Sequence, residues 1–176
     1  NVSVLDNFVL EELAAVALTA NSSGGGVTAF HGEVGGLLEL RSLETNADGR
    51  TDFYADVHTV GDVTVNDDSL VHADVTIEVG ASGDANFNGD LDSAAAGPFG
   101  FTVDTGTGTT RFAGSVGAGV QPMSHAGGLA FLTTDADGGT DISGGLIRTS
   151  GTQLFQDTVT LTTDTEFNHG LSLIHI

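Results

Sequence analysis

Along most of the chain, hydrophobic residues alternate with polar ones in short runs, and glycine, aspartate or asparagine breaks each run after a few residues. A period of two is the pattern of a strand that buries one face, and the breakers are the residues that turns require. One five-residue pattern recurs: an apolar residue, any residue, a small or turn residue, any residue, an apolar residue. It reads FHGEV at 30, FYADV at 53, FNGDL at 87, FAGSV at 112, ISGGL at 142 and FQDTV at 155, with gaps of 23, 34, 25, 30 and 13 residues. Most gaps are near one coil of a β-solenoid, and the longest and shortest point to a degenerate rung or a coil with two copies. The alternation predicts inward rows led by Phe30, Phe53, Phe87, Phe112, Ile142 and Phe155, with the small residue also inward where a coil bends. Phe112→Ala is then expected to cost about 3–5 kcal/mol.

A longer repeat contains the short one. At a shift of 89, Leu43, Thr45, Ala47, Asp48, Gly49, Thr51 and Asp52 meet Leu132, Thr134, Ala136, Asp137, Gly138, Thr140 and Asp141. Further on the shift is 90, pairing Thr59, Gly61, Asp67 and Asp74 with Thr149, Gly151, Asp157 and Asp164. Upstream it is 82, laying FHGEVG over FAGSVG, with the extra residues near QPMSHAGG. Tandem β-sandwich repeats of about 90 residues are the rival reading. A short motif recurring inside each unit favours an all-β parallel β-solenoid, in which neighbouring coils bury rows that no coil buries alone. At roughly 22 residues per coil the chain holds about seven or eight coils, a rod of roughly 35–40 Å. Residues 1–170 are read as one segment with long repeats at about 18–100 and 101–170, the second incomplete. Residues 7–21 look helical by propensity. The repeat lays them over 91–104, where Gly97-Pro98 would break a helix, so a strand is expected there rather than a capping helix.

Composition narrows the partners. The formal charge is −20, there is no lysine, and the arginines are only Arg41, Arg50, Arg111 and Arg148. Four scattered cations cannot neutralise a phosphate backbone or an anionic bilayer, so neither nucleic acid nor membrane insertion is expected. No stretch approaches the roughly 20 apolar residues of a membrane span. With 39% hydrophobic residues and 26 glycines, the chain has the composition of a turn-rich β-protein rather than a disordered one. The absence of cysteine does not assign a compartment. The last six residues, LSLIHI, break the acidic, glycine-rich style and match the translation of a transposon adapter used in sequencing libraries. Residues 171–176 are therefore set aside as a scar, and both ends read as cut from a longer protein.

Candidate chemistry begins with calcium, a hard cation that takes six to eight oxygen ligands. DADGGTD offers Asp135, Asp137 and Asp141, and its twin NADGRTD offers Asn46, Asp48 and Asp52. The glycine stands too early for an EF-hand loop, and the nonapeptide calcium repeat is not met. The competing role for these residues is an Asp-Gly corner with positive φ, in which Asp and Asn cap local amides. A carbohydrate-active β-helix enzyme would need clustered carboxylates with a positioned arginine. Asp62, Asp67, Asp68 and Asp74, and then Asp84, Asp90 and Asp92, are acidic groups that read better as solvated faces. His58 and His72 could share an outward face, but no metal-ligand spacing appears. TGTGTT and TVTLTTDT could form outward threonine ladders, which also suit any exposed strand.

FTVDTGTGTTRFAGSVG and FLTTDADGGTDISGGLIRTSGTQLFQDTVTLTTDT together resemble the repeats of filamentous-haemagglutinin-like, β-strand-repeat bacterial surface adhesins. The resemblance runs from about Val27 to Phe167 and is one of repeat style. It implies a right-handed parallel β-helix, export to the cell surface or medium, and a stalk or adhesive role without enzymatic activity. Its partners would be a host or surface glycan or protein on the outer faces, and neighbouring repeats of the same chain.

Overall fold

The computed structural model describes residues 15–80, 82–119 and 128–169. Every strand pair among them is parallel and in register. That rules out the tandem sandwiches, whose sheets are antiparallel. The chain winds as a β-solenoid with three faces, A, B and C. The first coil has β1 (Ala17–Ala20) on A, β2 (Val27–Phe30) on B, and a rung on C reduced to bridges at Val34 and Leu40. The second has β3 (Ser42–Thr45), β4 (Arg50–Phe53) and β5 (Val57–Thr59); the third has β6 (Val63–Val65), β7 (Asp68–Val71) and β8 (Val75–Val79). The fourth has β9 (Ala85–Phe87), β10 (Leu91–Ser93) and β11 (Phe101–Asp104). In the fifth, β12 (Thr109–Phe112) and β13 (Leu132–Thr134) flank a B rung of bridges at Val116 and Leu129. The sixth has β14 (Gly139–Ile142), β15 (Leu146–Thr149) and β16 (Gln153–Phe155), and β17 (Thr158–Leu161) and β18 (Glu166–His169) follow on A and B. Face A alone stacks seven strands.

The inward rows are those that the alternation predicts. Phe53, Phe87, Phe112 and Ile142 are fully buried, and Phe30 and Phe155 pack against the same core from the outer coils. Phe30 stacks on Phe53 with ring centroids 5.6 Å apart, and Phe87 on Phe112 at 5.5 Å. Each ring thus buries its faces between coils, which no single coil could do. Of the segment 7–21, residues 7–14 lie outside the described part, while Ala17–Ala20 is a strand. Residues 120–127 and the terminal 170–176 also lie outside it.

The short motif turns out to mark a corner rather than a coil. It turns B into C at Phe30 and Phe53, A into B at Phe87, Phe112 and Ile142, and C into A at Phe155. The regular gaps compare like corners. The gaps of 34 and 13 compare different ones, so coil six does carry two copies. The small residue is fixed by the coil beneath. A Cβ on Gly89 would lie 2.5 Å from the Asp67 carbonyl, one on Gly114 would strike the Gly89 carbonyl, and one on Gly144 the Gly114 carbonyl. Face-to-face approach of corner backbones leaves no room for a side chain.

The long repeat is likewise out of phase with the coils. Leu43 lies on A and Leu132 on C; Phe53 lies on B and its match Ile142 on A. From β1 through β10 the unit holds eleven rungs, counting the Val34 rung, and eleven is not a multiple of three. The second unit therefore begins one face early. Matched residues nonetheless make matched contacts. Thr59 Oγ1 donates to the Gly61 carbonyl and Thr149 Oγ1 to that of Gly151. Gly35 and Gly117 both have positive φ, and a Cβ on either would strike the carbonyl of His58 or of its match Arg148.

Candidate functional site: the acidic corners and face B

The acidic groups are hydrogen-bond acceptors between coils. Along the C–A corner, Asp62 accepts the Asp84 amide at 2.9 Å, and Asp84 accepts that of Thr109 at 2.8 Å. Along the A–B corner, Asp68 accepts the Asp90 amide and Asp90 that of Ser115, at 2.9 and 2.8 Å. At the B–C corner, Asp56 takes the Thr76 amide and Asp74 that of Gly100, both at 2.7 Å. Corners are where parallel pairing lapses, so their amides need other acceptors. A short carboxylate one coil earlier supplies a charge-assisted one. These acids were expected to form a merely solvated face; the structure gives each an axial partner.

The NADG and DADG corners reach the other way. Asn46 Oδ1 accepts the Ser22 amide at 2.8 Å, and Asp48 accepts those of Gly24 and Gly25 at 2.9 and 3.2 Å, all from the preceding coil. Asp135 accepts the Thr105 amide of the coil before it at 3.3 Å. Gly49 and Gly138 both have positive φ, at 114° and 79°, as the Asp-Gly reading requires. The amides capped by Asn46, Asp48 and Asp135 belong to an adjacent coil rather than to the corner itself. Burial pushes the Asp135 carboxyl above the usual range, the Thr105 amide opposes that, and Asp104 and Asp157 add to the rise.

The six candidate calcium ligands are not brought together. Asn46 and Asp48 lie on the A–B corner, whereas Asp135 and Asp137 lie on the C–A corner several coils away. Asp141 is in β14 opposite Arg111. Asp52 turns outward on face B, where its carboxylate takes Arg50 Nε at 2.5 Å, Arg50 Nη2 at 3.0 Å and His72 Nε2 at 3.1 Å. Among the described residues no group of three or more acidic, histidine or cysteine side chains is arranged to hold a metal ion.

Face B gathers the least expected chemistry. Asp52, Leu70 and Asp92 are opposed on three successive coils, outward by alternation yet nearly closed to solvent. Arg50 and His72 cover Asp52, while Asp92 accepts the Gly119 amide at 2.9 Å. Burial raises the Asp92 carboxyl above its usual range, the Gly119 bond lowers it, and Asp90 and Asp68 raise it further. Beside them His31, Tyr54 and His72 stack along the axis, with centroids 4.3 and 4.1 Å apart. Carboxylates and an arginine do meet here, but both Asp52 oxygens are occupied by neighbours. His72 does not share a face with His58. His58 sits on face C with Nε2 3.0 Å from Glu33 and Nδ1 3.0 Å from Glu78, joining three coils. On the same face Thr76, Thr102 and Thr133 form an outward threonine column.

Inside, two polar clusters escaped the sequence reading. Thr45 and Thr51 both donate to Asp67 Oδ1, at 3.1 and 2.8 Å. Thr134 and Thr140 donate to Asp157, at 3.2 and 2.7 Å. The signal was present, since all three positions of one cluster match those of the other in the long repeat. No protein-family model, curated protein or solved structure matches the chain.

Proposed function

We propose that the chain is a structural and adhesive segment of a large secreted or cell-surface bacterial protein, acting without catalysis. The observation that carries this reading is the use made of the acids. Carboxylates from Asp48 to Asp135 hold amides of neighbouring coils, so the commonest reactive group of the chain serves axial continuity. A rod held in this way suits a stalk that bears load or displays an outer face. The repeat style of surface adhesins supports the same reading, with a glycan or protein ligand on faces such as the Thr76–Thr102–Thr133 column.

Beads coated with the chain, presented to arrays of glycans and matrix proteins, test the proposal when the supernatant is assayed for released sugar. Retention without release is expected. Saccharide release that Asp52→Asn abolishes would replace the proposal with a carbohydrate-active enzyme. Failure to retain any array member would leave a spacer without adhesive function.

A further inference from the structure

Of the six corner pentapeptides, FNGDL alone places an asparagine before its small residue, and Asn88-Gly89 is the only Asn-Gly step in the chain. That dipeptide has a chemistry of its own. The backbone nitrogen after an asparagine can attack the side-chain carbonyl, and glycine, lacking a Cβ, hinders the attack least. The fold requires both residues for other reasons. A Cβ on Gly89 would lie 2.5 Å from the Asp67 carbonyl. Asn88 continues a ladder of amides along the A–B corner: its Nδ2 donates to Asn66 Oδ1 at 2.8 Å, and Asn66 Nδ2 to the Thr45 carbonyl at 2.7 Å. The ladder ends there, because Phe87 pairs with Phe112 and the next coil has Ala113 in that place. Asn88 Oδ1 instead accepts Arg111 Nη1 at 3.4 Å. Arg111 is exposed and is the only basic residue in the seven strands of face A. It makes no ion pair among the described residues. The amides on either side of Gly89 are engaged, that of Asn88 by the Val65 carbonyl at 2.8 Å and that of Asp90 by Asp68 at 2.9 Å. The Gly89 amide has no acceptor among the described residues.

We propose that Asn88-Gly89 is a site of self-modification, at which Arg111 promotes loss of the Asn88 amide. The Gly89 nitrogen gives its proton to solvent and bonds to Asn88 Cγ. The guanidinium steadies the negative charge that gathers on Oδ1. The Cγ–Nδ2 bond then breaks, and the nitrogen takes a proton from water and leaves as ammonia. A second water opens the cyclic imide at one of its two carbonyls, giving an aspartate or its β-linked isomer. The net change is one water consumed and one ammonia released, with no oxidant or reductant. The aspartate product turns the long Arg111 contact into an ion pair and cancels the one cation in the strands of face A, while it loses the donor to Asn66. The β-linked product adds a methylene to the backbone at a corner where Gly89 packs closely against both Asp67 and Gly114. The folded chain therefore favours the aspartate.

Folded full-length chain and the same chain unfolded in urea, incubated side by side at mildly alkaline pH, test this. Fragmentation mass spectrometry locates each conversion of amide to acid. Conversion at Asn88 ahead of Asn46, Asn66 and Asn86 is expected in the folded chain. Arg111→Gln should slow it about tenfold, the rate equivalent of one charge-assisted hydrogen bond, and should leave the rate in urea unchanged. Arg111→Lys, which keeps the charge, should retain most of the rate. Added salt screens an exposed charge and should slow the folded wild-type chain in the same sense, without any variant. An Asn88 that stays intact in the folded chain while the unfolded chain converts overturns the proposal. So does an Arg111→Gln chain with native circular dichroism that converts as fast as wild type, or a folded wild-type rate indifferent to salt.

Discussion

Asp67 and Asp157 stand at different corners of the solenoid, yet each accepts the hydroxyls of two buried threonines from the preceding coil. Thr45 and Thr51 serve the A–B corner, and Thr134 and Thr140 the C–A corner. Beside each pair an amide side chain caps the coil before it: Asn66 reaches the Thr45 carbonyl, and Gln156 that of Thr134. Removing either acid strands two buried donors at a cost of about 1–3 kcal/mol. Asp67→Ala and Asp157→Ala should therefore cost similar amounts, and their double variant the sum to within about 0.5 kcal/mol. Urea titration of the three proteins measures it. A neutral Asp157→Ala beside a costly Asp67→Ala would break the equivalence.

The glycine column predicts a contrast within one motif. Gly114→Ala drives a methyl into the Gly89 backbone, which cannot swing aside, and should cost about 1–3 kcal/mol. Gly32 occupies the same motif position in the first coil, where nothing lies within 4 Å of a Cβ. Gly32→Ala should stay within about 0.5 kcal/mol of the parent. Equal losses in a thermal melt would mean that glycine is needed for corner conformation and not for approach between coils.

At the acidic corners, Asp48 already holds the Gly24 and Gly25 amides. Melts in excess calcium and in chelator are expected to superimpose. Asp48→Ala should lower both curves alike, by about 1 kcal/mol as for a lost helix cap. A calcium-dependent rise that Asp48→Ala and Asp137→Ala abolish would make these corners metal sites.

Asp92 sets the sign of one pH effect. Its folded carboxyl titrates above the ordinary aspartate value of 3.8, chiefly through burial. Between those two values the folded protein binds more proton than the unfolded chain, so this group's contribution to stability falls as pH rises. Above the raised value Asp92 is a buried charge beside Asp90 and Asp68. Asp92→Asn keeps an acceptor for Gly119 and removes that charge, and should raise stability at neutral pH by about 0.5–1 kcal/mol. Its advantage should shrink on acidification. A constant offset from pH 7 down through the acid range would rule out titration of Asp92 as the cause.

Much of the fold was legible because one physical rule, inward apolar residues at alternate positions, operates in every rung. It found the buried Phe53, Phe87 and Phe112 without any knowledge of the faces. It could not tell one corner from another, since a residue leading a B–C turn and one leading an A–B turn face the same core. The site was harder to read. The outward Asp52 is an ordinary surface acid by pattern, and only stacking of coils brings His72, some twenty residues away, onto it. Acids that bond an amide one coil away look in sequence like acids in water, because the partner is a backbone group that any residue would supply. The backward reach of Asn46 and Asp135 depends on corner shape, which the shared letters conceal.

The eleven-rung unit has a geometric consequence for any longer rod assembled from it. At about 4.8 Å per coil, each unit advances the axis by roughly 18 Å and turns its surface pattern by a third of a revolution. Identical epitopes would then wind around the shaft like a screw thread, and every fourth would point the same way as the first. Such a filament would meet a flat receptor layer with one epitope in three, and a surrounding gel of polymers with all of them. Losing a single unit would re-aim everything beyond it, so variation in repeat number would alter the directions presented as well as the reach.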